Sequence, residues 1–191
     1  EASGCWRYAV RFLNTTSGED LKLDFQCLDD DFRVLVGEWN VTADNGAGHG
    51  YQRFAGVGQL VPQGDRVQVM LTVNDVVLPV GDVANSDPVT CNWALFDVIP
   101  TLADELRGTG EQMSLTVLED LEKVRPGSRI GFLEDWTLSL EAGELELSGF
   151  FVYGEGALPS YWWLDREGRV MVVSTVFQTL VLASHTLGDV A

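Results

Sequence analysis

Residues 156–183 read GALPSYWWLDREGRVMVVSTVFQTLVLA, which is most simply two strands joined by a tight turn. Asp165-Arg166-Glu167-Gly168 has the chemistry of a type I turn closed by a left-handed residue, with Gly168 supplying the positive φ. Setting Asp165 opposite Arg169 places Leu164 opposite Val170, Trp163 opposite Met171, Trp162 opposite Val172 and Tyr161 opposite Val173. Side chains alternate along a strand, so both faces of this ribbon are apolar. One face meets the core, and the other needs a helix, a ligand or a partner to cover it.

The same alternation runs through most of the chain. Strands are expected near 5–13, 20–28, 32–41, 51–61, 66–73, 76–80, 113–119, 129–140, 144–153, 158–164 and 169–183. Turns are expected at Thr16-Ser17-Gly18, Asp44-Asn45-Gly46, Gln63-Gly64-Asp65, Arg125-Pro126-Gly127 and Ala142-Gly143. In the first hairpin, matching the apolar faces pairs Phe12 with Leu21, Val10 with Leu23, Tyr8 with Phe25 and Trp6 with Cys27. Cys5 then points away from Cys27, so no disulfide is expected between them. The pairing of Cys91 is left open by the sequence.

Residues 89–108 break the pattern. They lack strand alternation, end in helix formers and close on Gly108, with Thr90 or Asn92 available as a cap. Trp93, Phe96, Ile99 or Pro100, and Ala103 fall on one helical stripe, and Pro100 would kink the helix or start a second one. The fold expected is therefore all-β and antiparallel, a strongly curved half-barrel or barrel enclosing or flanked by one short helical segment at about 91–107. At 191 residues the chain suits a single domain, 1–191, with a substantial core.

Composition narrows the function. Against 29 acidic residues stand 12 basic ones, a formal charge of −17, which repels phosphate backbones and argues against nucleic acid. No apolar run reaches the length of a transmembrane helix. The start, Glu1-Ala2-Ser3-Gly4, looks trimmed, so export is neither shown nor excluded.

The signatures of catalysis and metal binding are thin. His49, between glycines in Asn45–Gly50, and His185 sit in no zinc motif; His49 is the better ligand contact because flanking glycines let the backbone approach a ligand. Asp29-Asp30-Asp31 lacks the spacing of a calcium loop and reads as a solvated turn. Glu155, Asp165 and Glu167 lie near tryptophans, where a carboxyl can be raised toward acid catalysis, although turn placement explains Asp165 and Glu167 without chemistry. Cys91, at a possible helix start, reads as a buried structural thiol in preference to a reactive one. No phosphate loop, nucleophile elbow or dinucleotide fingerprint is present, and no cofactor or metal is expected.

What remains is the aromatic set Trp6, Tyr8, Trp39, Trp93, Trp136, Tyr161, Trp162 and Trp163, which is core, ligand wall or both. The order of elements from about residue 89 to 183 resembles exported bacterial β-proteins of the broad lipoprotein-carrier type. The matching pieces are Asn92-Trp93, Arg125-Pro126-Gly127, Leu158-Pro159, Trp163-Leu164-Asp165 and Gly168-Arg169. That resemblance implies a half-barrel whose apolar concavity holds lipid-like ligands, a cell-envelope or periplasmic location, and no catalytic residues to carry over. The high negative charge departs from the basic rim that anionic lipid headgroups would need.

The expected function is thus non-enzymatic binding of an apolar small molecule or lipid, with Trp93, Tyr161, Trp162, Trp163 and His49 as ligand contacts. Two alternatives stand beside it. One is a small barrel enzyme, a cyclase or isomerase that folds an apolar substrate by positioning alone. The other is an interaction module that docks a protein partner or a second copy of the chain.

Overall fold

A computed structural model describes residues 4–13, 18–45, 53–140 and 143–182. His49 and His185 lie outside the described residues, as do Thr16, Ser17 and Ala142 of the expected turns. The protein is all-β with one short helix, and its seven-stranded sheet is a half-barrel. The chain falls into two compact units, 1–98 with 115–127, and 99–114 with 128–191.

The first unit is built on a six-stranded antiparallel meander of β1 (Cys5–Leu13), β2 (Glu19–Leu28), β3 (Leu35–Asn45), β4 (Arg53–Gln63), β5 (Arg66–Val73) and β6 (Val76–Ala84), in that spatial order. The β1–β2 register pairs Trp6 with Cys27, Tyr8 with Phe25, Val10 with Leu23 and Phe12 with Leu21, as alternation predicts. None of the three cysteines is disulfide-bonded. Burial follows the alternation: Leu23, Phe25 and Cys27 of β2 and Leu35, Trp39 and Val41 of β3 are all 2% exposed or less. The Trp39 ring lies across Gly58, where a Cβ would come within 2.1 Å of it, and Trp39 Nε1 donates to the Leu121 carbonyl at 3.2 Å.

Two further strands close this unit. β7 (Val89–Cys91) pairs in parallel with β8 (Met113–Glu119), a departure from the antiparallel expectation that the intervening helical crossover makes possible. A 3-10 turn over Asn92–Ala94 leads into the helix, α1 (Leu95–Thr109), which runs through Pro100 without a break. The buried stripe is Leu95, Val98, Ile99, Leu102 and Leu106. The expected stripe of Trp93, Phe96 and Ala103 is only half-buried. Two apolar stripes lie side by side on this helix, and the sequence alone does not rank them.

The second unit holds the last two-thirds of α1 and most of β9 (Lys123–Leu140), with β10 (Gly143–Tyr153), β11 (Ser160–Leu164), β12 (Val170–Ser174) and β13 (Thr179–Val181). The strand order of the seven-stranded sheet is β13-β12-β11-β10-β9-β8-β7. Three expectations change here. Arg125-Pro126-Gly127 lies inside β9, where Gly127 at φ 61° bends the strand without ending it. The expected last strand, 169–183, is two strands, because the Thr175 hydroxyl accepts from the Phe177 and Gln178 amides and folds the chain back. A bulge at Met171, opposite the step between Trp163 and Leu164, leaves Met171 without a partner on β11, so Trp163 faces Val172, Trp162 faces Val173 and Tyr161 faces Ser174.

Candidate functional site: an aromatic face on the second sheet

The turn that starts the last hairpin is built as its sequence implies. Gly168 has φ 76°, its amide donates to the Asp165 carbonyl at 3.0 Å, and the Asp165 amide donates to the Arg169 carbonyl at 3.0 Å. The Asp165 carboxylate accepts from the Glu167 and Arg169 amides and from the Arg169 guanidinium. Burial pushes this carboxyl up, but those bonds outweigh it and hold it below the usual range. It is therefore a structural anion, not the proton-bearing acid that a tryptophan neighbour would suggest.

From this turn β11 sends adjacent tryptophans to opposite faces. Trp162 is 4% exposed and belongs to the packed face, with Phe150 directly across from it and Leu164, Val152 and Val173 nearby on the same side. Its indole nitrogen donates to the Ser160 hydroxyl at 2.9 Å. Phe132 meets Phe150 edge to face at 5.7 Å. The second half of α1 borders this same side.

Trp163 turns to the other face. There its ring stacks on Trp136, with centroids 4.7 Å apart and planes 29° apart. The Trp163 ring sits where the strand between them carries no side chain: a Cβ on Gly149 would lie 2.6 Å from it, while Trp136 is directly opposite Leu147. Gly131 makes the same kind of room in the neighbouring row, since a Cβ there would lie 2.4 Å from Phe151. Phe151 is 5.6 Å from Tyr153, and Tyr161 is directly across from Phe151 on β11. Trp136, Tyr153 and Tyr161 are 47%, 40% and 38% exposed. Leu138 and Leu140 extend the face along β9, and Val172 and Val181 extend it across β12 and β13. The result is a broad apolar face in which Trp163 and Phe151 lie on glycines and Trp136, Tyr153 and Tyr161 are exposed.

The packed side carries a groove of different character. A cavity of about 440 Å³ between α1 and the sheet is lined by Asp104, Arg107, Asp135, Glu146, Arg166 and Glu167 among others. Arg107 pairs with Asp135 at 2.6 Å, Arg166 pairs with Glu146, and Ser148 donates to Asp135 at 2.7 Å. The hydrogen bond from Arg166 holds the Glu146 carboxyl below its ordinary range. Most of its charged groups are thus paired with one another, while Pro100, Ala103, Leu147, Phe150 and Leu164 supply its apolar lining.

The other expected contacts are placed elsewhere. Trp93 belongs to the first unit, half-buried between Phe12 and Phe96, each 6.2 Å away. Its Nε1 donates to Asp120 Oδ1 at 2.8 Å, and Asn92 both donates to that oxygen and accepts from the Asp120 amide. The Asn-Trp pair thus holds the left-handed turn at Asp120 and Leu121, φ 49° and 61°. Tyr161, Trp162 and Trp163 share the second unit, with Trp162 on the side opposite the other two. Cys91 is fully buried, and burial pushes its thiol well above the ordinary value, so it is no nucleophile. Asp29 accepts from Trp6 Nε1 and Arg33, and Asp30 accepts from the Val34 amide, the behaviour of a structured turn. Among the described residues, no three His, Cys, Asp or Glu side chains come together to hold a metal ion, and no helix is long and apolar enough to cross a membrane.

Residues the sequence reading did not single out are Gly131, Gly149 and Phe151. A glycine inside a strand that alternates otherwise marks a close approach, and Gly149 between Ser148 and Phe150 carried that signal.

No family model matches the chain, and no curated protein matches it. Among solved structures, a crystal structure described as a β-barrel-like protein of the domain of unknown function DUF1849 from Brucella abortus is similar with a TM-score of 0.39 and 7% identity, covering 94% of this chain and 96% of that one, and it assigns neither a family nor an activity.

Proposed function

We propose that the protein binds an apolar small molecule or lipid-like ligand, without catalysing a reaction, on the aromatic face of β9, β10 and β11. The observation that carries this reading is the Trp136–Trp163 stack, whose Trp163 ring is seated over Gly149 and whose Trp136 ring is 47% exposed. Rings that merely filled a core would be covered; Gly149 lets Trp163 lie flat on the sheet as a platform under the open Trp136. Trp163 and Tyr161 are the contacts that belong to this face, while Trp162 supports it from behind. With about 150–250 Å² per aromatic side chain, the open portions of Trp136, Tyr153 and Tyr161 amount to roughly 250 Å². Covering that area is worth about 6 kcal/mol at ~25 cal/mol/Å², equivalent to a Kd of roughly 40 μM before the cost of association, which shifts the expected affinity toward the millimolar range. The exported lipoprotein-carrier resemblance supports the same ligand class, with the difference that the open aromatics lie outside the face that α1 borders.

Titration with a neutral hydrophobic fluorophore such as N-phenyl-1-naphthylamine tests the reading. The parent should bind in the high-micromolar to millimolar range, and Trp163→Ala or Trp136→Ala should weaken binding at least tenfold while the protein still melts cooperatively. A parent that does not bind, or variants that bind as well as the parent, would overturn it.

A further inference from the structure

Resting on that binding reading, we propose that the ligand of the aromatic face is a cationic amphiphile: a quaternary ammonium or amine head held on the open Trp136 ring beside Glu134, with an apolar tail lying along Leu138 and Leu140. The register sets the positions. Glu134 and Trp136 stand at alternate positions of β9 and so share a face, and Gly149, directly opposite Glu134 on β9 and Trp163 on β11, adds no side chain beside them. The Trp163 ring is taken up by Gly149 and by the stack, so the open indole is Trp136, 47% exposed. Alternate strand positions lie about 6.6 Å apart, so a head resting on the Trp136 ring also falls within range of the Glu134 carboxylate.

An indole face attracts a cation within about 6 Å of its centroid, and Trp is the best of the aromatics for this purpose. The unit that carries this face supplies the matching field, with twelve acidic residues against four arginines and no lysine. Of those arginines, Arg107, Arg166 and Arg169 are engaged with Asp135, Glu146 and Asp165, all on the turn or the packed side. Arg129, paired opposite Tyr153, marks the far end of the face, four positions along β10 from Gly149 or about 13 Å away. The face is therefore polarised along the strands: a cation is favoured at the Glu134 and Trp136 end and disfavoured at the Arg129 end. Running the other way from Glu134, positions 136, 138 and 140 share the face and present an indole and two leucines, each about a third exposed or more. An apolar tail continuing from the head in that direction meets only apolar side chains. An anionic amphiphile would set its charge against Glu134 and the acidic field.

The test uses the full chain and three probes with one tail, decyltrimethylammonium, decanol and decyl sulfate, each below its micelle concentration, read by tryptophan fluorescence and calorimetry in 0.15 M salt. The ammonium should bind at least tenfold tighter than decanol, and decyl sulfate weaker than decanol. Glu134→Gln should cut ammonium affinity several-fold and leave decanol unchanged, and Trp136→Leu should weaken the ammonium more than decanol. Lengthening the tail by one CH₂ should tighten binding by up to about fourfold. Equal affinity for ammonium and decanol, or an ammonium preference untouched by Glu134→Gln, overturns the inference while leaving apolar binding intact. Failure of all three probes overturns both readings. Sedimentation with choline-phospholipid vesicles without binding of monomeric ammonium, or a dimer that Trp163→Ala dissolves and the ammonium does not compete with, assigns the face to another occupant and overturns it as well.

Discussion

The two adjacent tryptophans of β11 make a sharp test of the whole arrangement, because sequence treats them alike and structure does not. Trp162 is 4% exposed, so its replacement by alanine removes nearly a full indole from the packed face opposite Phe150. Large-to-small changes of that kind cost about 3–5 kcal/mol. For a chain of this length about 1 kcal/mol moves Tm by roughly 2–4 °C, so Trp162→Ala should lower the midpoint by about 6–20 °C. Trp163→Ala removes a partly exposed ring and its stack on Trp136. The stack is worth about 0.5–1.5 kcal/mol, and with the lost partial burial the total should be about 1–2 kcal/mol, or roughly 2–8 °C. Differential scanning calorimetry reads both, and near-ultraviolet circular dichroism adds an independent signal, since two indoles 4.7 Å apart couple. Trp163→Ala should abolish the coupled band with little loss of stability, and Trp162→Ala should keep the band until the protein melts. Equal destabilisation by the two variants, or a larger loss from Trp163→Ala, would refute the assignment of faces.

Other outcomes follow from single sites. Gly168→Val should cost about 1–3 kcal/mol, measured by urea denaturation, because a β-branched residue is strained at φ 76°. Asp165, with its carboxyl held below the ordinary value, contributes stability that is present above the unfolded carboxyl pKa and lost as pH falls through the lower folded one. The stability gap between the parent and Asp165→Asn should therefore be constant above about pH 5 and shrink below about pH 4; a gap independent of pH would show that the Arg169 bonds do not tune it. Thiol titration should find Cys5 reactive in the native protein and Cys27 and Cys91 silent until denaturation, since Cys5 is exposed and burial pushes the Cys27 thiol up to about 12; fast native labelling of a second thiol would contradict the core. Gly58→Ala should destabilise the first unit by about 1–3 kcal/mol, because Trp39 leaves no room for a methyl group.

How much of this was legible in the chain depends on what each signal measures. Alternation reports faces, and where pairing is regular it also reports register: β1 and β2 pair residue for residue as Trp6, Tyr8, Val10 and Phe12 dictate. Alternation does not report an inserted residue. At Met171 one unpaired position shifts every later pair of the last hairpin, although both of its faces stay apolar. Turn chemistry was readable at Asp165–Gly168, where carboxylate, turn and glycine coincide, but misleading at Pro126-Gly127, where the same residue types make a bend within a strand. The division of labour between Trp162 and Trp163 was legible as a necessity, since neighbours on a strand face apart. Which of them is buried depends on the helix side and on Gly149 in the neighbouring strand, and no local pattern on β11 encodes those.

The contact between Trp39 and the Leu121 carbonyl spans 82 positions of chain. During synthesis the meander β1 to β6, whose strands all pair with sequence neighbours, is complete long before Leu118 and Leu121 leave the ribosome. At about 5–20 residues per second, the side of Trp39 that those leucines cover stays wet for roughly 4–16 s after Trp39 itself has emerged. Over that interval a six-stranded sheet with an unfinished core is exposed to every sticky surface nearby, which makes the arrival of residues 118–121, and not the pairing of the strands, the step at which this half of the protein escapes aggregation.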